Sequence, residues 1–101
     1  MNDMTNGVDL GSVLEPAKLP LPARPKVWGI RAEPYVDHLG DHELRVWVIL
    51  EDSPDLRDWG GEGASEISSA IHQALLSAGE RRFPYLRFRT RREYRRERRA
   101  G

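Results

Sequence analysis

In its pattern of apolar and polar positions, the chain opens on a stretch with no period, followed by two short alternating runs, one nearly continuous apolar run and one helical stripe. Residues 1 to 25 hold Gly7, Gly11, Pro16, Pro20, Pro22 and Pro25 without sustained periodicity. The prolines at 20, 22 and 25 favour an extended, polyproline-like path. This predicts a flexible, proline-containing arm over 1–25. The competing reading is an arm that lies along the domain or a partner, with Val13, Leu14, Leu19 and Leu21 as its contacts.

From Val27 to Glu33 the residues alternate, with Trp28, Ile30 and Ala32 on one side and Arg31 and Glu33 on the other, as a strand requires. Pro34 marks the end of that strand or an edge position. The polar run from Asp37 to Glu43, with Gly40 available for positive φ, predicts a hairpin loop. Leu44 to Leu50 is nearly continuous in apolar residues and predicts a central strand buried on both faces. Ser65 suits a helix N-cap with Glu66 in the first turn. Ile67, Ala70, Ile71, Ala74, Leu75 and Ala78 then form the stripe of an amphipathic helix over 65–78, with Gly79 at its left-handed end. Tyr85 to Arg89 alternates again, Leu86 and Phe88 inward and Tyr85, Arg87 and Arg89 outward. Thr90 and Glu93 fit a capping box opening a terminal helix over 91–99, which has no apolar stripe beyond Tyr94.

The element order is β-β-α-β-α. It predicts an α+β domain over 26–90, a three-stranded sheet with one packed helix, followed by an Arg-rich C-terminal helix or tail over 91–101. One helix covers one face. The other, carrying Trp47 and Ile49, needs a cover from the arm, the last helix or another chain.

Composition adds limits. At 101 residues the chain is one domain, and without Cys it has no disulfide, Cys-ligated metal or thiol nucleophile. No apolar run approaches the ~20 residues of a membrane span, and the start lacks the pattern of a signal peptide. A cytoplasmic protein with no membrane contact is the expectation. The balance of 16 Lys and Arg against 16 Asp and Glu hides a strong asymmetry. Met1 to Glu80 carries 6 Lys and Arg against 14 Asp and Glu, a net of −8; Arg81 to Gly101 carries 10 Arg against 2 Glu, a net of +8. Such a dipole bears on partners rather than on fold.

Catalytic chemistry is hard to find. Asp37, His38, Asp41, His42 and Glu43 cluster in sequence, but a hairpin loop need not bring them together, and they read as a polar turn rather than a metal site. The acidic loop 51–62, with Glu51, Asp52, Asp55, Asp58 and Glu62, leaves a divalent ion open as an alternative. No Ser sits in G-x-S-x-G, and Gly60 to Gly63 precedes a helix without the Lys of a phosphate loop. No catalytic residue and no cofactor is expected.

In the last helix Arg92, Arg95, Arg96 and Arg99 share one face, and Arg87 and Arg89, outward beside Tyr85, extend the patch. Guanidinium forks bind phosphate or carboxylate in a bidentate way. Three readings compete: a solvated helix offsetting the acidic body, a nucleic-acid contact, and docking onto an acidic protein.

The segments Glu33 to Leu50 and Gly79 to Phe88 resemble small bacterial proteins encoded beside HEPN-domain proteins in toxin–antitoxin-like pairs. The resemblance spans about residues 27 to 90. It implies a module that restrains or assists a HEPN-type RNA-cleaving partner, and it assigns no functional residue. The combined expectation is a non-catalytic, antitoxin-like partner-binding protein. It would act through an open sheet face at Trp47 and through its charged termini, with homo-oligomerisation left open. The alternative is an RNA- or DNA-binding module using the Arg-rich helix.

Overall fold

The computed structural model describes residues 8–52 and 61–100. Strand β1 (Val27–Val36) and strand β2 (His42–Leu50) form an antiparallel hairpin, helix α2 (Glu62–Ser77) crosses over, and strand β3 (Pro84–Thr90) returns parallel to β2. A short helix α1 (Leu10–Val13) and a 3-10 turn (Pro16–Lys18) precede the sheet, and helix α3 (Arg91–Ala100) follows it. The sheet order is β1-β2-β3, so the most apolar strand is central. Pro34 lies within β1, on an edge strand, where a missing N–H does no harm. Asp55 and Asp58 of the acidic loop lie outside the described residues.

The inner face of the sheet carries Leu44, Val46, Val48 and Leu50 from β2, Ile30 from β1, and Leu86 and Phe88 from β3. Ile67, Ile71 and Leu75 of α2 pack onto it, as the stripe predicts. The helix begins earlier than Ser65 suggests. Gly61, at φ 73°, is its N-cap, and Ser65 N–H bonds back to the Gly61 carbonyl at 3.3 Å inside the first turns. Glu62 supplies the negative charge that the helix N-terminus favours. At the other end Gly79 takes φ 83°; Glu80 N–H donates to Leu75 O at 3.0 Å and Gly79 N–H to Leu76 O at 3.1 Å. That pair of bonds is a Schellman ending, which leaves Ala78, the last stripe residue, exposed at the cap.

Two expectations are corrected. Of the two readings of the arm, residues 8–25 follow the second: Leu14 is 1% exposed inside the core, with Leu10, Val13, Leu19 and Leu21 packed around it. A sheet face wider than one helix leaves apolar surface at its margin, and the arm's leucines cover it. The segment is held close enough that Gly63 of α2 lies where a Cβ would come within 2.6 Å of Arg24 O and Pro25 Cδ. The second correction concerns Trp28. The register slips between Val27 and Gly29, so Trp28 is the extra residue of a bulge. Val27 and Ile30 still face the core, whereas Trp28 turns toward α3 and stays 43% exposed.

Candidate functional site

Helix α3 starts from the predicted capping box. Glu93 N–H donates to Thr90 Oγ1 at 3.0 Å, and Thr90 N–H donates to Glu93 Oε1 at 2.9 Å. A third free N–H, that of Arg92, donates to Asp52 Oδ1 at 3.3 Å, placing a further carboxylate at the positive end of the helix. From there α3 folds back over the outer face of the sheet.

One side of α3 is used for docking. Arg91 pairs with Glu51 at 3.4 Å and stands over the Trp28 ring, 4.7 Å from its centroid. Tyr94 meets Trp47 edge to face at 5.8 Å. Arg98 pairs with Glu33 at 3.6 Å, and the same carboxylate accepts from Trp47 Nε1 at 3.1 Å. Glu97 accepts from Arg89 Nε at 2.9 Å. These contacts cover Ile49, which is fully buried, and leave Trp47 half-buried. The outer face at Trp47 and Ile49 is therefore not open, and Trp47 is a docking residue for α3 rather than an exposed anchor.

The opposite side of α3 holds Arg92, Arg95, Arg96 and Arg99, which together line an open notch of about 500 Å³. Among the described residues none of the four has a carboxylate within ion-pairing distance. Between α3 and β1 lies a groove of about 410 Å³, lined by Trp28 and Tyr94, by Arg31, Arg91, Arg95 and Arg98, and by Glu33. Arg95 borders both concavities. The basic surface thus extends beyond the tail, because Arg31 of the acidic body contributes to it.

The remaining expected site residues separate. Arg87 is exposed on the edge strand β3. Arg89 lies 5.6 Å from the Trp47 ring and is engaged by Glu97 and by the Phe88 carbonyl. Tyr85 belongs to another cluster. Its hydroxyl donates to Asp37 Oδ2 at 3.2 Å, and its ring stands edge to face against Tyr35 and Phe83 at 5.5 and 4.9 Å. Trp28 and Arg31 escaped the sequence reading as site residues. Gly29 inside a strand was the available sign, since such a glycine often marks a bulge that redirects its neighbour.

Asp37, Asp41 and Glu43 do bring carboxylate oxygens within 4.8 Å of one another, without either hairpin His. The geometry accounts for the cluster as a turn anchor. Asp37 Oδ1 accepts from Leu39 and Asp41 N–H at 3.0 and 2.9 Å, and Glu43 Oε1 accepts from Phe83 N–H at 2.6 Å. The Asp41 and Leu39 amides and the Tyr85 hydroxyl outweigh the opposing effect of burial and hold the Asp37 carboxyl below its ordinary range.

Among the described residues no helix is long and apolar enough to cross a membrane. Comparison with protein-family models, curated proteins and solved structures found no match, so the resemblance to HEPN-associated proteins gains no support from them.

Proposed function

We propose that this protein works by binding rather than by catalysis, and that the solvent side of α3 takes a nucleic acid by its phosphates. The observation that carries the reading is the notch of Arg92, Arg95, Arg96 and Arg99, four like charges on one face with no carboxylate partner among the described residues. Clustered guanidinium groups repel one another, and a polyanion relieves that repulsion while filling their fork-shaped donor sets. Protein interfaces place apolar and aromatic residues at their centre and leave charge at the rim. No apolar side chain lines this notch, whereas nucleic-acid interfaces are polar and strongly basic.

The test is binding of a labelled oligonucleotide over a range of salt. Replacing Arg92, Arg95, Arg96 and Arg99 together with Gln should lower affinity and flatten the salt slope, by roughly 0.7 per lost single-strand phosphate contact. Unchanged affinity and slope would overturn the reading. The antitoxin-like role implied by the resemblance would use the same arginines against an acidic protein. A partner that binds this face while nucleic acid does not would establish that role instead.

A further inference from the structure

We infer that the groove between α3 and β1 is a nucleobase pocket, and that the ligand is therefore single-stranded. The inference rests on the phosphate-binding reading above and specifies the class of its ligand. The bulge at Trp28 removes a large aromatic from the core and leaves the residue 43% exposed at the groove. Tyr94 continues that apolar surface, with Ile49 buried beneath it. At about 410 Å³ the groove falls within the range of small-molecule sites, roughly 300–1,000 Å³.

Its lining is mostly cationic: Arg91 and Arg98 are paired, with Glu51 and Glu33, the Glu33 carboxylate is engaged by Arg98 and Trp47, and Arg31 and Arg95 bring further positive charge. An uncharged apolar ligand would leave Arg31 and Arg95 unused, and a bare phosphate would leave the aromatic floor unused. A nucleotide supplies both chemistries at adjacent positions. Because Arg95 belongs to both the groove and the four-Arg notch, a base on Trp28 and a phosphate at the notch can share one covalent backbone.

Single strands are bound in this way, by stacking bases on aromatic side chains while arginines follow the phosphates. In a duplex the faces of the bases are already stacked, and extracting one has a cost. Arg91, stacked over Trp28 at 4.7 Å, braces the ring from the helix side.

The experiment uses the full chain and three fluorescein-labelled strands of equal length: an oligothymidylate, the corresponding abasic deoxyribose-phosphate strand, and a duplex. The oligothymidylate should bind more tightly than the abasic strand, by roughly 5- to 150-fold for one stacked base. It should also bind more tightly than the duplex. Trp28→Ala should lower oligothymidylate affinity by a larger factor than abasic-strand affinity and so lose that advantage, while Trp28→Phe retains part of it. Equal affinity for all three strands, or an oligothymidylate affinity indifferent to Trp28→Ala, would overturn the base pocket while leaving phosphate binding standing. Failure of all three strands to bind would overturn the phosphate reading itself. Tighter binding of a tyrosine-containing polyglutamate than of any strand would assign the groove to an acidic protein and overturn both.

Discussion

Trp47 and Tyr94 stand edge to face, ring centroids 5.8 Å apart at an interplanar angle of 65°, and this pair is the apolar tie between the last helix and the sheet. A helix of mostly arginine has little reason to dock on its own. Here one aromatic pair, three ion pairs and one arginine stacked on a ring fix it over the sheet. Tyr94→Ala should destabilise the protein by about 1–2 kcal/mol, combining lost burial with the aromatic pair. Cleavage by trypsin at the α3 arginines should accelerate at the same time. Tyr94→Phe keeps the ring and should behave as the parent in both measurements.

Leu14 tests whether the N-terminal segment is part of the core. It is 1% exposed, as closely enclosed as the strand residues. Leu14→Ala should cost roughly 2–5 kcal/mol in urea unfolding, the usual loss for a buried leucine. Leu76→Ala, on the 70%-exposed side of α2, should change stability by no more than about 0.5 kcal/mol. If both substitutions prove equally mild, the arm contributes nothing to the core.

At Gly63 the sign of a substitution is informative. Replacing a helical glycine with alanine ordinarily gains about 1 kcal/mol. Here the new methyl would meet Arg24 O and Pro25 Cδ at 2.6 Å. Two segments would have to separate, and overpacking of this kind costs roughly 1–3 kcal/mol. Gly63→Ala should therefore lower the melting temperature. Gly11→Ala, whose methyl meets only Asp9 Oδ1 at 3.6 Å, should leave it unchanged or raise it.

Local signals in the sequence carried much of this fold. Alternation located the strands, the capping box at Thr90 and Glu93 formed as spaced, and Gly79 ended α2 as its position required. Three features were not legible, each for a physical reason. The Trp28 bulge is a register event, visible only once β2 is paired alongside, and strict alternation put its ring in the core. The arm's leucines lack a period because Leu10 and Leu14 pack from a single helical turn and Leu19 and Leu21 from the chain after the 3-10 turn, segments too short to show a regular spacing. The docked side of α3 is held by arginine stems, guanidinium stacking and ion pairs, which a hydrophobic stripe does not register. The four-Arg face was legible because a ten-residue helix fixes the angular positions of its residues. The groove beside it was not, because it depends on Trp28.

The hairpin anchor makes the protein sensitive to pH at both extremes. Asp37 has a lowered pKa in the fold, chiefly through the Asp41 and Leu39 amides and the Tyr85 hydroxyl. A depressed carboxyl contributes stability that is present above its unfolded value, about 3.9, and is lost as pH falls through the folded value. Tyr85 has the opposite sign. Burial and the bond to Asp37 raise its pKa, so its contribution is intact below about 10 and fades as pH rises through the folded value. Asp37→Asn should be less stable than the parent at neutral pH, and the difference should close as pH drops below about 4. Tyr85→Phe should remove the tyrosine's share of the alkaline loss and leave the acid side governed by the two backbone donors. Stability curves from chemical unfolding at each pH give both comparisons. If the difference between the parent and the Asp37→Asn variant stays constant into strong acid, the Asp37 charge has no part in holding the hairpin.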